Sequence, residues 1–339
     1  MNKKIGKQSF KIENDIAIIG EAAIASQKEA EGPFGKYFDD VMPDIKFGQK
    51  TFEKGESRLL EQTMLKAIEK SGKVNSQIDC VLTGDLLNQC ISSNYAVRNV
   101  RIPFYGLYGA CSTMAESLAL SSMLLDGGFG NTILCGAGSH FYSAERQYRF
   151  PVEYGGQRPP TAQWTVTGTG MTVLERGGKG PCITFVTAGK VADKGISDAN
   201  NMGAAMAPAA ADTLITHFKD TNTQPKDYDM IVTGDLGALG KGITCDLVRD
   251  EGYELTGVYD DCGVMIFDAE RQGVECGGSG CGCSAVVLCS YLIKQLRLRK
   301  MNRLLFVGTG ALMSPLSLQQ GESIPAVAHA VVIENKKEV

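Results

Sequence analysis

Residues 105–140 read YGLYGACSTMAESLALSSMLLDGGFGNTILCGAGSH: loop, cysteine, helix, glycine stop and strand in a single run. From Cys111 to Asp126 only Glu116 and Asp126 carry charge, while Ala115, Ser117, Ala119, Ser121 and Ser122 alternate with Met114, Leu118, Met123, Leu124 and Leu125. A helix with almost no polar face has to be buried all round. Gly127-Gly128 supplies its C-terminal stop, and residues 132–135 read as a short apolar strand. Gly109 and Ala110 permit a tight turn and a close approach just before Cys111. A cysteine at a helix N-terminus meets free amides and the positive end of the helix dipole, so its pKa is expected to fall. The position suits a nucleophile or an anion.

Outward from this stretch, short apolar runs alternate with helical periodicity. Residues 16–20 (IAIIG), 78–82, 172–174, 183–186 and 229–232 read as buried strands. Leu59, Leu60, Met64, Leu65 and Ile68 recur at helical spacing within 57–71, and 199–218 reads as a helix rich in small residues. Residues 33–52 read as loop. Strand–helix alternation with apolar strands implies sheets covered by helices.

The pattern also repeats. Val81-Leu82-Thr83-Gly84-Asp85-Leu86 returns as Ile231-Val232-Thr233-Gly234-Asp235-Leu236. Cys111-Ser112, a buried helix and Ile133-Leu134-Cys135-Gly136-Ala137-Gly138 return as Cys283-Ser284, a buried helix and Leu305-Phe306-Val307-Gly308-Thr309-Gly310. Like residues at like junctions argue for two homologous halves, 1–176 and 177–339, meeting near Arg176–Gly180. The duplicated Asp85 and Asp235 are expected to form Asx turns in a structural role.

The chain has 339 residues, 43% hydrophobic and 21% charged, enough for a large duplicated core. A net charge of −4 offers no footprint for nucleic acid. Most of the eleven cysteines sit in apolar runs without a secretory signal, so reduced, core-packed thiols are expected. No window approaches the ~20 apolar residues of a spanning helix. Any membrane association is therefore expected to be peripheral.

The glycine–alanine–cysteine turn at the start of a central helix, the run GTGMTVLE at 168–175 and the closing FVGTGALMS resemble the thiolase and ketoacyl-synthase superfamily. Taken whole, with GDLLNQC, YGACSTMAESL, GAGSHFYSAERQYRFP and FVGTGALMSP, the chain resembles the stage V sporulation protein AD family over nearly its full length. The resemblance implies a five-layered α-β-α-β-α fold with pseudo-twofold symmetry. It implies a component of the spore inner-membrane channel for dipicolinic acid, taking the acid in during sporulation and releasing it on germination. It further implies a soluble protein that binds dipicolinate or its calcium chelate, sits peripherally on that membrane through partner proteins of the same complex, and forms a homodimer.

The superfamily enzymes need more than a cysteine. Ketoacyl synthases add a histidine after the strand matching 229–232 and a histidine or asparagine before the second buried helix; here those segments read TGDLGALG and GGSGCGCS. The histidine turn and second cysteine of thiolases are also missing. His140, His217 and His329 fall at none of these places. The resemblance thus implies a retained pocket without catalysis.

Candidate ligand-binding residues are Cys111, His140, Tyr142, Arg146, Trp164, Asp193, Asn200, Asn201 and Cys283. Cys111 reads equally as a packed residue or a pocket contact, and His140 as a pocket group or a structural hydrogen-bonding partner. His217, at a helix end, reads as a surface residue. The aromatic–basic run with Tyr142, Arg146, Tyr148, Arg149, Tyr154, Arg158 and Trp164 matches a flat dicarboxylate in stacking faces and donors; it equally matches a subunit interface. Residues 193–202 form a polar loop. No resident metal is expected: Cys276, Cys281 and Cys283 lack a second ligand pair, and calcium would arrive only with dipicolinate. Two alternatives stay open: an acyltransferase or condensing enzyme with Cys111 as nucleophile, and a ligand-free scaffold of a membrane complex.

Overall fold

The structure, a computed structural model, describes residues 3–148 and 158–336. The main path of its large sheet, among the described residues, runs through β1 (Ser9–Ala25), β2 (Cys80–Gly84), β3 (Phe104–Gly106), β4 (Thr132–Ser139), β5 (Gly168–Arg176), β6 (Cys182–Thr187), β7 (Met230–Thr233), β8 (Tyr259–Asp261), β9 (Arg303–Ala311) and β10 (Ala326–Glu334). The first five take the order β1-β5-β4-β2-β3 and the last five the order β6-β10-β9-β7-β8. Pairing sense is the same in both sets: antiparallel at the first two steps and parallel at the last two. An antiparallel seam between β1 and β6, from Ser9↔Thr187 to Ala17↔Cys182, joins them in one twelve-stranded sheet that also takes in two short strands on β1.

Five layers follow from the helices. α1 (Phe52–Lys70) and α2 (Ile91–Val100) cover the outer face of the first set. α3 (Thr113–Asp126) lies in the middle and touches strands of both sets, as its lack of a polar face demands. Met114 and Leu118 on it are wholly buried. α4 (Phe141–Tyr148) follows β4, and α5 (Met202–Thr221) and α6 (Gly237–Asp250) cover the second set. α7 (Cys281–Val287) passes through a π-helical stretch, Leu288–Leu292, into Ile293–Arg297 and packs beside α3. Its close seat on the sheet depends on Gly170, where a Cβ would stand 2.1 Å from the Ala285 carbonyl oxygen.

Several sequence expectations shift. The strand at 16–20 extends to Ser9–Ala25. α1 begins at Phe52 rather than 57, because Thr51 caps it by accepting from the Lys54 amide. His217 is not on the surface: it is wholly buried and hydrogen-bonded to Thr187 and Tyr228, and burial pushes its pKa down to about 3. All eleven cysteines are free thiols. Among the described residues no helix is long and apolar enough to cross a membrane.

Candidate functional site

Cys111 sits in the tight turn Ala110–Ser112 ahead of α3, with Ala110 at φ +49°. An alanine held in the left-handed region marks strain of about 1 kcal/mol or more that the surroundings must sustain. What sustains it is the end of β9: a Cβ on Gly310 would lie 2.3 Å from the Gly109 carbonyl oxygen, so only glycine admits the cysteine turn there. The two halves therefore meet at Cys111.

The group facing the thiol is Asp235. Its carboxylate raises the pKa of the Cys111 thiol. Oδ1 accepts from the Thr309 hydroxyl at 2.7 Å, and Oδ2 accepts from the Gly280 amide at 2.8 Å and the Ser279 hydroxyl at 3.3 Å. Gln163 donates to the Asp235 carbonyl at 2.5 Å and to the Gly278 carbonyl at 2.9 Å, closing the cage from the side. Burial pushes Asp235 up to about 6, against the pull of these donors. Burial first, and then the Asp235 charge, push the Cys111 thiol well above its ordinary value of 9.0. The expected lowering by the helix terminus is overturned: desolvation and a neighbouring carboxylate outweigh the amides.

Proton transfer from Cys111 to Asp235 thus runs uphill, since the thiol is pushed well above its ordinary value while the carboxyl stays at about 6. It would also leave a thiolate beside a neutral acid. A histidine in that place would become an imidazolium and stabilise the thiolate. As arranged, Cys111 is a buried thiol beside a carboxylate held by Thr309, Gly280 and Ser279.

Above Cys111 lies a cavity of about 50 Å³, walled by Glu145, Tyr148, Thr165, Met202, Ser279 and Met313 among others. Glu145 is held by Arg158 at 2.6 Å, and the Tyr148 hydroxyl donates to the Leu86 carbonyl at 2.6 Å and meets the Tyr108 hydroxyl at 2.8 Å.

The other expected residues lie elsewhere. His140 is buried against Phe52 and Tyr142, its Nε2 bonded to the Ile45 carbonyl at 2.7 Å and its Nδ1 accepting from the Tyr142 amide at 3.2 Å, so it serves the structural role. Burial lowers its pKa. Tyr142 stacks on Phe52 at 4.7 Å, and Arg146, exposed, pairs with Glu53 at 2.9 Å. Trp164 stacks on Phe141 at 3.9 Å beneath Lys28. Asp193 accepts from Ser323 and the Gly195 amide on the surface, the Asn200 amide donates to Asp198, and Asn201 caps α5. Cys283 is buried inside α7. Of the nine, only Cys111 lines the cavity. The run's aromatic and basic groups mostly satisfy one another, and its Arg149 and Tyr154 fall outside the described residues.

Residues 6–334 match the family model described as stage V sporulation protein AD. The stage V sporulation protein AD of Bacillus subtilis (strain 168) is 46% identical over 332 residues, 98% of either chain. The chain belongs to the stage V sporulation protein AD family. Among solved structures, 3-oxoacyl-[acyl-carrier-protein] synthase III of Aquifex aeolicus VF5 shares 9% identity at a TM-score of 0.59, covering 94% of this chain and all of that one. Cerulenin-bound OleA of Xanthomonas campestris shares 14% at 0.61, covering 96% and 100%. These likenesses establish that this sporulation protein has the condensing-enzyme fold.

Within that fold, the residue overlooked in the sequence is Asp235. Its signal was present: it lies in TGDLGALG, the segment where the enzymes carry their histidine. Duplication with Asp85 pointed the other way.

Proposed function

We propose that this sporulation protein is a non-catalytic binding protein for dipicolinate, taken as its calcium chelate, within a spore membrane complex. One observation carries the non-catalytic part: Cys111 faces a caged carboxylate rather than an imidazole, which keeps it a thiol. Family membership supports the ligand. The cavity beside Cys111 supports the place and sets a condition, because about 50 Å³ is far below the roughly 300–1,000 Å³ of small-molecule sites. Entry therefore requires α4 to move, with Tyr148 releasing Tyr108 and Leu86. A free dianion would meet Glu145 on the wall and Asp235 behind Ser279, which disfavours it. The chelate is neutral, and its calcium retains positions for carboxylate oxygen.

Calorimetry with dipicolinate, with and without calcium, tests the reading against Cys111→Ala and Tyr148→Phe. Saturable heat only with calcium, altered in both variants, is expected. Equal binding of the free dianion would remove the chelate, and no heat in any condition would leave the scaffold. For the enzyme alternative, intact-mass analysis after incubation with acyl-CoA should show unmodified protein; a stable acyl adduct on Cys111 would overturn the non-catalytic reading.

A further inference from the structure

Glu56, on α1, is wholly buried. Its Oε2 stands 2.5 Å from the Ser143 hydroxyl of α4, and its Oε1 has no partner. Ser143 is in turn 3.1 Å from the His140 carbonyl at the start of the same helix. With Glu56 ionised, both neighbours of that hydroxyl would be acceptors, yet a hydroxyl has one proton to give. The conflict disappears when Glu56 carries a proton: Glu56 donates to Ser143, and Ser143 donates to His140. The surroundings agree. Asp85, at the end of β2, and Glu53, on α1, both act on Glu56 as like charges, and the Cys281 thiol of α7 feels Asp85 and Glu56 together. Arg146 on α4 is engaged with Glu53 at 2.9 Å, and Ser92 on α2 donates to the Glu53 carbonyl at 3.4 Å. Burial lowers the His140 pKa, so its ring brings no charge at neutral pH. Of the two buried carboxyls, Asp85 accepts from three donors and suits the charge; Glu56, with one contact, suits the proton. Burial first, and then the Asp85 charge, hold Glu56 well above its ordinary 4.5.

The helix that Glu56 holds is also the one that puts Ala144, Glu145 and Tyr148 on the cavity beside Cys111. We propose that protonated Glu56 is the latch that seats α4 on α1, and that the wall of the cysteine cavity loosens as Glu56 loses its proton. Ionised, Glu56 would be a buried charge with one bare oxygen near Asp85, and it regains water only if a neighbour gives way. Ser143 lines a surface groove of about 440 Å³ between α4 and the turn before α2, so solvent lies one side chain away. α4 is the neighbour able to yield. It has eight residues against the nineteen of α1, and its other ties to α1 include only side-chain contacts, the Tyr142–Phe52 stack and the exposed Arg146–Glu53 pair. The folded carboxyl lies above its ordinary value, so the seated helix is favoured at low pH and released as pH rises through the folded value. Exchange of whatever occupies the cavity is then faster at higher pH. Glu56 is not on the cavity wall; it is a positioning residue, and the inference holds whichever ligand the cavity takes.

Hydrogen exchange of the full chain tests it, read by mass spectrometry on peptides covering 141–148 and 91–100 at about pH 5.5 to 8 and corrected for intrinsic exchange chemistry. An opening that releases one proton gains about tenfold per pH unit between the ordinary and the folded pKa. Protection of α4 should therefore fall by that factor per unit across the range, while protection of α2 stays level. Glu56→Gln keeps the shape and a permanent donor toward Ser143, so its α4 should remain protected with a level profile. Ser143→Ala, whose fold is checked by its melting, should lower α4 protection at pH 5.5 roughly fivefold, the worth of one hydrogen bond. A level profile in the wild type, a tenfold slope surviving in Glu56→Gln, or unchanged α4 protection in a folded Ser143→Ala would each overturn the latch. So would equal slopes in α4 and α2, which would assign the proton to global unfolding.

Discussion

Asp85 and Asp235 stand at the same point of the two halves, each just past its strand in the sequence Thr-Gly-Asp-Leu, and each is wholly buried. Asp85 makes the expected turn: Oδ1 accepts from the Leu87 amide, and Oδ2 accepts from the amide and hydroxyl of Ser93 in the first turn of α2. Asp235 does nothing of the kind. The Gly237 amide, which matches that of Leu87, donates instead to Asp261, as does its neighbour Leu236; Asp261 also accepts from Gly263 and Val264. Relieved of the turn by Asp261, Asp235 swings to Thr309, Gly280 and Cys111. A duplicated residue keeps its role only while its partners are duplicated too.

The largest effect that tests this contrast is on stability. Asp85→Ala orphans three buried donors at the start of α2 and should cost roughly 4 kcal/mol in urea unfolding. Asp235→Ala orphans two short-range donors, Thr309 and the Gly280 amide, and one long contact to Ser279, so its cost at neutral pH should be smaller. Equal costs would mean that both aspartates are plain turn-formers. Burial raises both carboxyls, that of Asp235 to about 6, so Asp235 also gives a pH-dependent test. The folded carboxyl of Asp235, at about 6, lies above its ordinary 3.8, so the fold favours the protonated form. Its contribution is full below the unfolded value and is lost as pH rises through the folded one, about 3 kcal/mol in all. Relative to Asp235→Asn, the wild type should lose that much between pH 4 and 7. A parallel pair of profiles would show that the carboxylate is not strained by burial.

The fold was open to sequence reasoning because its signals are local or repeated. α3 carries its burial in its composition, and the paired phrases around β2 and β7 announce the duplication. Cys111 stood out at its helix start. What escaped depends on partners from distant segments. The sense of the thiol's shift follows from the burial of its turn between the two sets of strands, to which Asp235 adds; the burial of His217 needs Thr187 and Tyr228, neither on its helix. Of the aromatic–basic run, Tyr148 reaches the cavity, whereas Tyr142, Arg146 and Trp164 pair with Phe52, Glu53 and Phe141. The divergence of the aspartates was nevertheless written in the repeat, in the change from Gly136-Ala137-Gly138 to Gly308-Thr309-Gly310.

A smaller effect lies on the thiol itself. Burial is the main cause of the raised Cys111 pKa and the Asp235 charge the next. Asp235→Asn should therefore lower it, and alkylation by iodoacetamide at pH 8, followed at Cys111 by peptide mass spectrometry, should quicken. Asp85→Asn should leave that rate at the wild-type value. No change in the first variant would mean that burial alone silences the cysteine.

The smallest effect reaches the origin of the difference. Thr309 donates to Asp235 Oδ1 and accepts from the Asp235 amide, whereas its counterpart Ala137 offers neither group. Thr309→Ala makes the second half imitate the first at this point. It should cost about 1 kcal/mol, the usual net value of one buried hydrogen bond to an acceptor that keeps others. With one donor fewer, the ionised carboxylate is less well satisfied, so the Asp235 pKa should climb further above 6. The acid-side gain in stability should then begin at a higher pH than in the wild type. If the titration stays where it was while stability falls, Thr309 merely fills space, and the separation of the two aspartates rests on Asp261 alone.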